Sequence, residues 1–379
     1  MADPTPDTFP ANPAAPALSA VEVLHEPGSG TIAGSAGYTA DFEECHALRV
    51  EHDLALWGNL DRCPTLPEAA EFWRGSEYEE RQLYLARLNG KAVGTCSVEL
   101  PLRENTHTAG IDVLIGPTYR RQGLGRMLLL HAESIARERR RTSLYGYHEV
   151  PLAAADGTPL LPAKSGAGGL PVAEPAVAFA AASGYELEQV ERSSRLELPV
   201  APELLARLET EASAAAGDYS ITGWDDACPE DLVDAYALLK ARMSTDVPIA
   251  GMDWEGEDWD AGRVRDEERT TARSGLQSAV TAALHSATGE LVAYTVLNWR
   301  PGVPASIAQQ DTLVTAQHRG HRLGLLIKVA NLRHAQARWP SAHSVLTWNA
   351  NENQHMLAIN IALGFRPAGY EGEWQKRLG

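Results

Sequence analysis

One long-range repetition constrains this chain more than any other feature. Sliding the sequence by 199 residues lays Gly90-Lys-Ala-Val-Gly-Thr-Cys over Gly289-Glu-Leu-Val-Ala-Tyr-Thr. The same shift lays Asp112-Val-Leu-Ile-Gly-Pro-Thr-Tyr-Arg-Arg-Gln-Gly-Leu-Gly over Asp311-Thr-Leu-Val-Thr-Ala-Gln-His-Arg-Gly-His-Arg-Leu-Gly. Solenoids need at least three short repeats, so two copies at this period predict a duplicated domain. A chain of 379 residues accommodates two domains of about 150–200 residues each. The expected division is a disordered tail at 1–20, an N-terminal domain at 21–200, a connector at 201–217 and a C-terminal domain at 218–379. The tail is rich in Pro and Ala and lacks the basic and apolar regions of a signal peptide. Within the connector, 202–216 is rich enough in Ala, Leu and Glu for a short helix.

Each copy reads as the same succession of elements. Helical stretches at 41–53 and 67–74 correspond to 229–243 and 263–274, and strands at 81–88 and 92–100 correspond to 277–285 and 291–299. A third strand carries the aspartate, and a glycine-containing turn then opens a long amphipathic helix, at 124–139 and 323–337. A further strand follows at 143–147 or 344–348, before a last helix and strand. Early antiparallel strands with a later strand–turn–helix–strand crossover predict an α/β fold with a mixed sheet in each copy. The stretch 153–169, rich in Ala, Gly and Pro, is expected to be a mobile loop.

Composition narrows the partners. A net charge of −17 repels nucleic acid and anionic lipid and favours a cationic partner such as an amine. No apolar run is long enough to span a bilayer, so a cytoplasmic location is expected. Cys45, Cys63, Cys96 and Cys228 are scattered, without a C-x-x-C pair or histidines at ligand spacing, so no metal site is expected.

Chemistry concentrates in the turn Arg120-Arg121-Gln122-Gly123-Leu124-Gly125. A helix N-terminus offers unpaired N–H groups and the positive end of its dipole to a phosphate. Glycine removes the Cβ that would hold a pyrophosphate off, and Arg120, Arg121 or Arg126 can add charge-assisted bonds. A dinucleotide fingerprint is absent, as is the G-K-[ST] of a P-loop.

Arg120-x-x-Gly123-x-Gly125, after a strand at 111–115, resembles the acyl-CoA signature of the GNAT superfamily of N-acyltransferases. Asn353 through Gly364-Phe365 independently resembles that superfamily's last helix and the entry to its final strand. The likeness covers nearly the whole chain in two copies and is similar to actinobacterial tandem GNAT proteins such as mycothiol synthase. It implies a sheet whose central strands splay to admit pantetheine, and an acetyl-CoA or other acyl-CoA donor. Each copy departs from the pattern once. Arg322 replaces the first glycine in Arg319-Gly320-His321-Arg322-Leu323-Gly324, while Ala173 and Ala180 stand where the second copy has Asn353 and Asn360.

The implied reaction is direct attack of a small-molecule amine on the thioester. An amine must lose a proton, which makes Asp311 and Asp112 base candidates. The oxyanion needs a backbone N–H near Leu114–Ile115 or Leu313–Val314. Asn349, Asn353 and Asn360 are expected beside the donor. Asn360 occupies the place where the superfamily often has a proton-donating Tyr, leaving His318, His321 and His355 as other donors. The acidic segment containing Asp246, Asp253, Trp254 and Glu255 is the expected acceptor wall. With Trp259, Trp299, Trp339, Trp348 and Trp374, it favours the second copy for acceptor binding. The alternatives are a non-catalytic acyl-CoA-binding protein and an acyltransferase acting on a peptide or protein amine.

Overall fold

A computed structural model of the chain describes residues 16–23, 37–155 and 157–379. The first half comprises strand β1 (Ala17–Ala20), helices α1 (Ala40–Trp57) and α2 (Leu66–Trp73), then strands β2 (Glu79–Leu88), β3 (Lys91–Pro101) and β4 (Thr108–Ile115). Helix α3 (Leu124–Glu138), strand β5 (Ser143–Pro151), hairpin strands β6 (Leu160–Pro162) and β7 (Gly169–Pro171), helix α4 (Pro175–Ala182) and strand β8 (Glu186–Glu197) follow. Helix α5 (Pro202–Ser213) leads into the second half: β9 (Tyr219–Asp225), α6 (Val233–Asp246), α7 (Ala261–Arg273), β10 (Gln277–His285), β11 (Leu291–Trp299) and β12 (Ser306–Val314). The half closes with α8 (Leu323–Arg338), β13 (Ser344–Ala350), α9 (Gln354–Leu363) and β14 (Arg366–Arg377). The mixed α/β architecture and the repeated order of elements agree with the sequence.

The halves share one twelve-stranded sheet, ordered β1-β2-β3-β4-β5-β14-β8-β13-β12-β11-β10-β9. That order is symmetric about its centre, with β2 to β5 on one side matching β10 to β13 on the other. The final strands are exchanged across it. Strand β14 runs antiparallel to β5 from Gly369↔Pro151 to Arg377↔Ser143, while β8 pairs with β13 from Ser344↔Glu197 to Ala350↔Glu191. Packing follows the exchange. Trp374 of β14 is buried in the core of the first half, and Leu196 of β8 in that of the second. Because β14 also pairs with β8, the halves are joined by continuous backbone hydrogen bonds.

Two expectations need correction. Residues 17–20 are no tail: they add strand β1 to the edge of β2, from Ala17↔Arg87 to Ala20↔Tyr84, while residues 1–15 lie outside the described residues. The stretch 153–169 is not a free loop. Leu160–Pro162 and Gly169–Pro171 pair, Leu170 is fully buried, and the Lys164 and Ser165 amides donate to Leu187 and Glu188 carbonyls of β8. Its glycines permit tight turns, while Leu170 supplies the apolar anchor that composition obscures. The helix expected within the connector forms as α5, whose Leu205, Leu208 and Ala212 are spaced to bury one face in the second core.

Candidate active site

The two glycine-containing turns have nearly the same backbone. Arg121 (φ +64°) and Gly123 (φ +84°) match Gly320 (φ +87°) and Arg322 (φ +54°). Arg120 Nε donates to the Ile115 carbonyl at 3.3 Å, and Arg319 Nε to the Val314 carbonyl at 3.2 Å. Neither α3 nor α8 carries a side-chain cap, so the first-turn N–H groups, including those of Leu124, Gly125, Arg126, Leu323 and Gly324, are unclaimed by capping side chains. A Cβ on Gly123 or Gly320 would meet nothing within 4 Å, as a cradle open to a pyrophosphate requires. Arg322 thus holds a left-handed conformation that the first copy gives to glycine, and its guanidinium reaches Glu211 at 3.3 Å. Gln122 folds back onto the Thr118 carbonyl at 3.3 Å, and His321 packs against Tyr219. Gly125 and Gly324 pack against Ile115 and Val314 of the preceding strand.

Immediately before each turn the sheet opens. Strands β4 and β5 pair in parallel only through Thr108–Gly110 and Ser143–Tyr145, so Ile111 to Ile115 have no partner on that side. Strands β12 and β13 pair only through Ser306–Ala308 and Ser344–Leu346, leaving Gln309 to Val314 equally free. Each wedge exposes backbone N–H and C=O groups, including those of Leu114, Ile115, Leu313 and Val314, to an extended polar chain. The second half adds a bulge, where Thr295↔Thr312 and Leu297↔Gln309 leave Gln310 and Asp311 opposite one residue of β11. The corresponding stretch of β4 pairs with β3 without a break.

The two strand carboxylates meet different surroundings. Asp112 is bonded to Arg49 of α1 at 2.6 Å and is substantially exposed. Asp311 Oδ2 accepts from Tyr294 Oη at 2.9 Å and from Lys240 Nζ of α6 at 3.2 Å, while Lys240 also bonds Glu267 at 2.9 Å. Burial alone would push the Lys240 ammonium down; Asp311 and Glu267 reverse this and hold it above its ordinary range. Burial, then the charge of Asp311, raises the Tyr294 hydroxyl well above its own.

Asp311 opens into a cavity of about 670 Å³ between the halves. Glu71, Tyr78, Glu79, Glu104 and Tyr145 line it from the first half; Trp254, Glu255, Glu257, Trp259, Glu267 and Lys240 line it from the second. Arg263 ties the walls together, bonding Glu104 at 3.2 Å and Glu257 at 3.0 Å between the rings of Tyr78 and Trp259. Carboxylates outnumber cations in this lining, and the aromatic faces suit a cationic or amphipathic guest.

The acidic segment is therefore a bridge between halves as well as a wall. Trp254 stands edge-on to Tyr145 at 5.9 Å, and Glu255 exchanges bonds with Asn105, its N–H donating at 2.6 Å and its Oε2 accepting at 3.1 Å. Asp253 is a latch outside the cavity lining, with His107 at 3.6 Å and Arg377 at 3.9 Å. Asp246 sits beside the second turn, where its carbonyl accepts from Arg319 at 3.4 Å and its Oδ2 is buried without a described partner.

The three asparagines divide similarly. Asn353 caps α9 by accepting from the Met356 amide at 3.2 Å. Asn360 is buried, donating from Nδ2 to Asn349 Oδ1 at 2.6 Å and accepting at Oδ1 from Lys328 Nζ at 3.0 Å. Lys328, Lys240 and Tyr294 escaped the sequence reading because lysines in amphipathic helices are ordinarily surface residues, and a Tyr in an apolar strand ordinarily fills the core. The available signal was Lys328 in an otherwise apolar run, aligned with Leu129 of the first copy.

Residues 47–151 match the sequence profile of the Acetyltransferase (GNAT) family. No curated protein matches the sequence. Among solved structures, a tandem GNAT protein from the clavulanic acid biosynthesis pathway is 25% identical, with a TM-score of 0.71 over 96% of this chain and 99% of its own. A GCN5-related glucosamine N-acetyltransferase region of a fungal multi-domain β-N-acetylglucosaminidase is 12% identical (TM-score 0.61), over 97% of this chain and 38% of its own. A GCN5-related N-acetyltransferase from Sphaerobacter thermophilus is also 12% identical (TM-score 0.58), over 90% and 95%. The last two likenesses concern the fold.

Proposed function

Because the chain is a tandem GNAT protein, we propose that it transfers an acyl group, acetyl by default, from acyl-CoA to a small amine held between its halves. Acyl-CoA-dependent N-acylation is the general chemistry of the family; the acceptor class and the division of labour between the halves are our reading. In it, 21–200 and 218–379 are the two domains and the second is catalytic. The observation that carries the assignment is the double position of Asp311, which lines the cavity and belongs to the strand whose other edge is the open wedge.

The donor supplies the thioester carbonyl that the amine attacks. Backbone N–H groups at Arg322–Gly324 hold its pyrophosphate, and the free edge of Gln309 to Val314 aligns its amide arm. An N–H near Leu313–Val314 stabilises the oxyanion. Asp311, whose Oδ2 already holds Lys240 and Tyr294, presents its remaining lone pairs to the incoming amine and accepts its proton. The first half, with its open turn but an exposed Asp112, binds acyl-CoA without turning it over. The likeness to a clavulanic acid pathway protein supports seeking the acceptor among specialised metabolites.

Mass spectrometry of co-purified ligand, with thiol release measured across an amine panel, tests the proposal. A bound CoA species and amine-dependent thiol release are expected; the absence of both would overturn it.

A further inference from the structure

We propose that Lys328 is a positioning residue that fixes the Asn360 carboxamide so that its free N–H meets the sulfur leaving from acyl-CoA. The inference rests on the catalytic assignment of the second half. Lys328 of α8 and Asn360 of α9 are each 2% exposed, and Asn349 lies on β13 beyond the point where that strand leaves β12. Val345, Thr347 and Asn349 alternate onto the face covered by α8 and α9, so the Lys328–Asn360–Asn349 chain borders the wedge from that face.

The order of bonds settles which way the amide points. Lys328 Nζ carries N–H donors, so the atom facing it is Asn360 Oδ1; Nδ2 then faces Asn349. One of the two Nδ2 hydrogens bonds Asn349 Oδ1, and the other has no acceptor among the described residues. Burying a lysine opposes folding, and burial lowers its Nζ from 10.5 to about 7. The first copy shows that the fold does not demand this network: Leu129 and Ala180 occupy the corresponding places.

An amide is too weak an acid to protonate a thiolate, but its N–H can stabilise one. As the C–N bond forms, the amine proton passes to Asp311; the C–S bond then breaks, its electron pair leaves on sulfur, and the Asn360 N–H donates to that anion. Solvent protonates the sulfur on release. Without Lys328 the carboxamide is free to flip or turn away, and the anion loses its donor.

The test uses the full chain carrying Gly123→Glu, which confines donor binding to the second turn, with Lys328→Met, Lys328→Gln or Asn360→Leu added. Turnover is measured with acetyl-CoA, and the thiol pKa of bound CoA is read from ultraviolet thiolate absorbance. Lys328→Met and Asn360→Leu are expected to lower kcat about tenfold, leave KM for acetyl-CoA within about threefold, and raise the bound-thiol pKa by about one unit. Lys328→Gln, which keeps a donor, recovers most of both. Folded variants with unchanged kcat and bound-thiol pKa would overturn the inference alone. Failure of the unsubstituted chain to bind CoA by calorimetry would overturn the functional reading as well.

Discussion

The buried lysine makes a quantitative demand on stability. Among the described residues, Lys328 meets the Asn360 carboxamide and, at 5.7 Å, the Phe365 ring, with no carboxylate to compensate its charge. Holding its Nζ near 7 instead of 10.5 disfavours the folded state by on the order of 4–5 kcal/mol at and below about pH 7. Lys328→Met removes that penalty while preserving length and apolar contact, but leaves Asn360 Oδ1 without its donor, at about 1–3 kcal/mol. The variant should therefore be more stable than the parent by about 2–3 kcal/mol at pH 7. The sign with pH follows from proton counting. The penalty is complete below pH 7, where both states hold the proton at full cost to the fold. Between 7 and 10.5 the unfolded state holds a proton that the folded state has released, so the parent gains about 1.4 kcal/mol per pH unit relative to the variant. Urea denaturation at pH 6 to 10 should show the advantage of Lys328→Met vanish near pH 9. A pH-independent difference, or a variant less stable at pH 7, would show that the buried Lys328 ammonium carries no such penalty.

Other consequences are equally direct. Lys240→Met leaves Asp311 and Glu267 without their shared cation and should cost about 2–3 kcal/mol in urea denaturation at neutral pH, discounted because both carboxylates retain solvent. Since the Lys240 pKa is raised, that contribution is present below about 10.5 and fades as pH climbs through the folded value. At the sheet centre Glu149, Glu371 and Glu191 stand side by side across three strands, with Glu373 two residues from Glu371. Burial, then the charge of Glu191, raises Glu373 to about 8, so the fold favours its protonated form and loses stability as pH rises from about 4.5 towards 8. Glu373→Gln should accordingly raise the thermal midpoint at pH 8 and leave it nearly unchanged at pH 4. Gly324→Glu, whose Cβ would lie 3.2 Å from Ile359 and whose charge would oppose a pyrophosphate, should weaken CoA binding by calorimetry at least about tenfold. Gly123→Glu should do the same at the first turn, so that a single substitution leaves one of two binding events.

Much of this was legible because local chemistry specifies local structure. The 199-residue repeat foretold both halves, and Gly123 and Gly320 marked turns with positive φ. Asp112 and Asp311 fell on the strands where they were expected. What the repeat could not convey was partnership between distant strands. Strands β8 and β14 have equivalent places in their halves, and periodicity carries no information about which neighbour each will choose. The cavity between the halves depends on that choice and on Arg263 reaching Glu104. Arg322 read as a departure from the turn, yet it adopts the glycine-like conformation at a strain of about 1–2 kcal/mol, partly offset through Glu211. Asp253, expected in the acceptor wall, lies outside the cavity lining, where it ties the bridging segment to His107 and Arg377.

Whether the second half performs the chemistry is decided by kcat for thiol release in Asp311→Asn and Asp112→Asn, assayed side by side at saturating acetyl-CoA. Catalysis by the second half predicts a loss of about a hundredfold or more for Asp311→Asn and a change within about threefold for Asp112→Asn. The opposite pattern, an inert Asp311→Asn and a disabled Asp112→Asn, would contradict it.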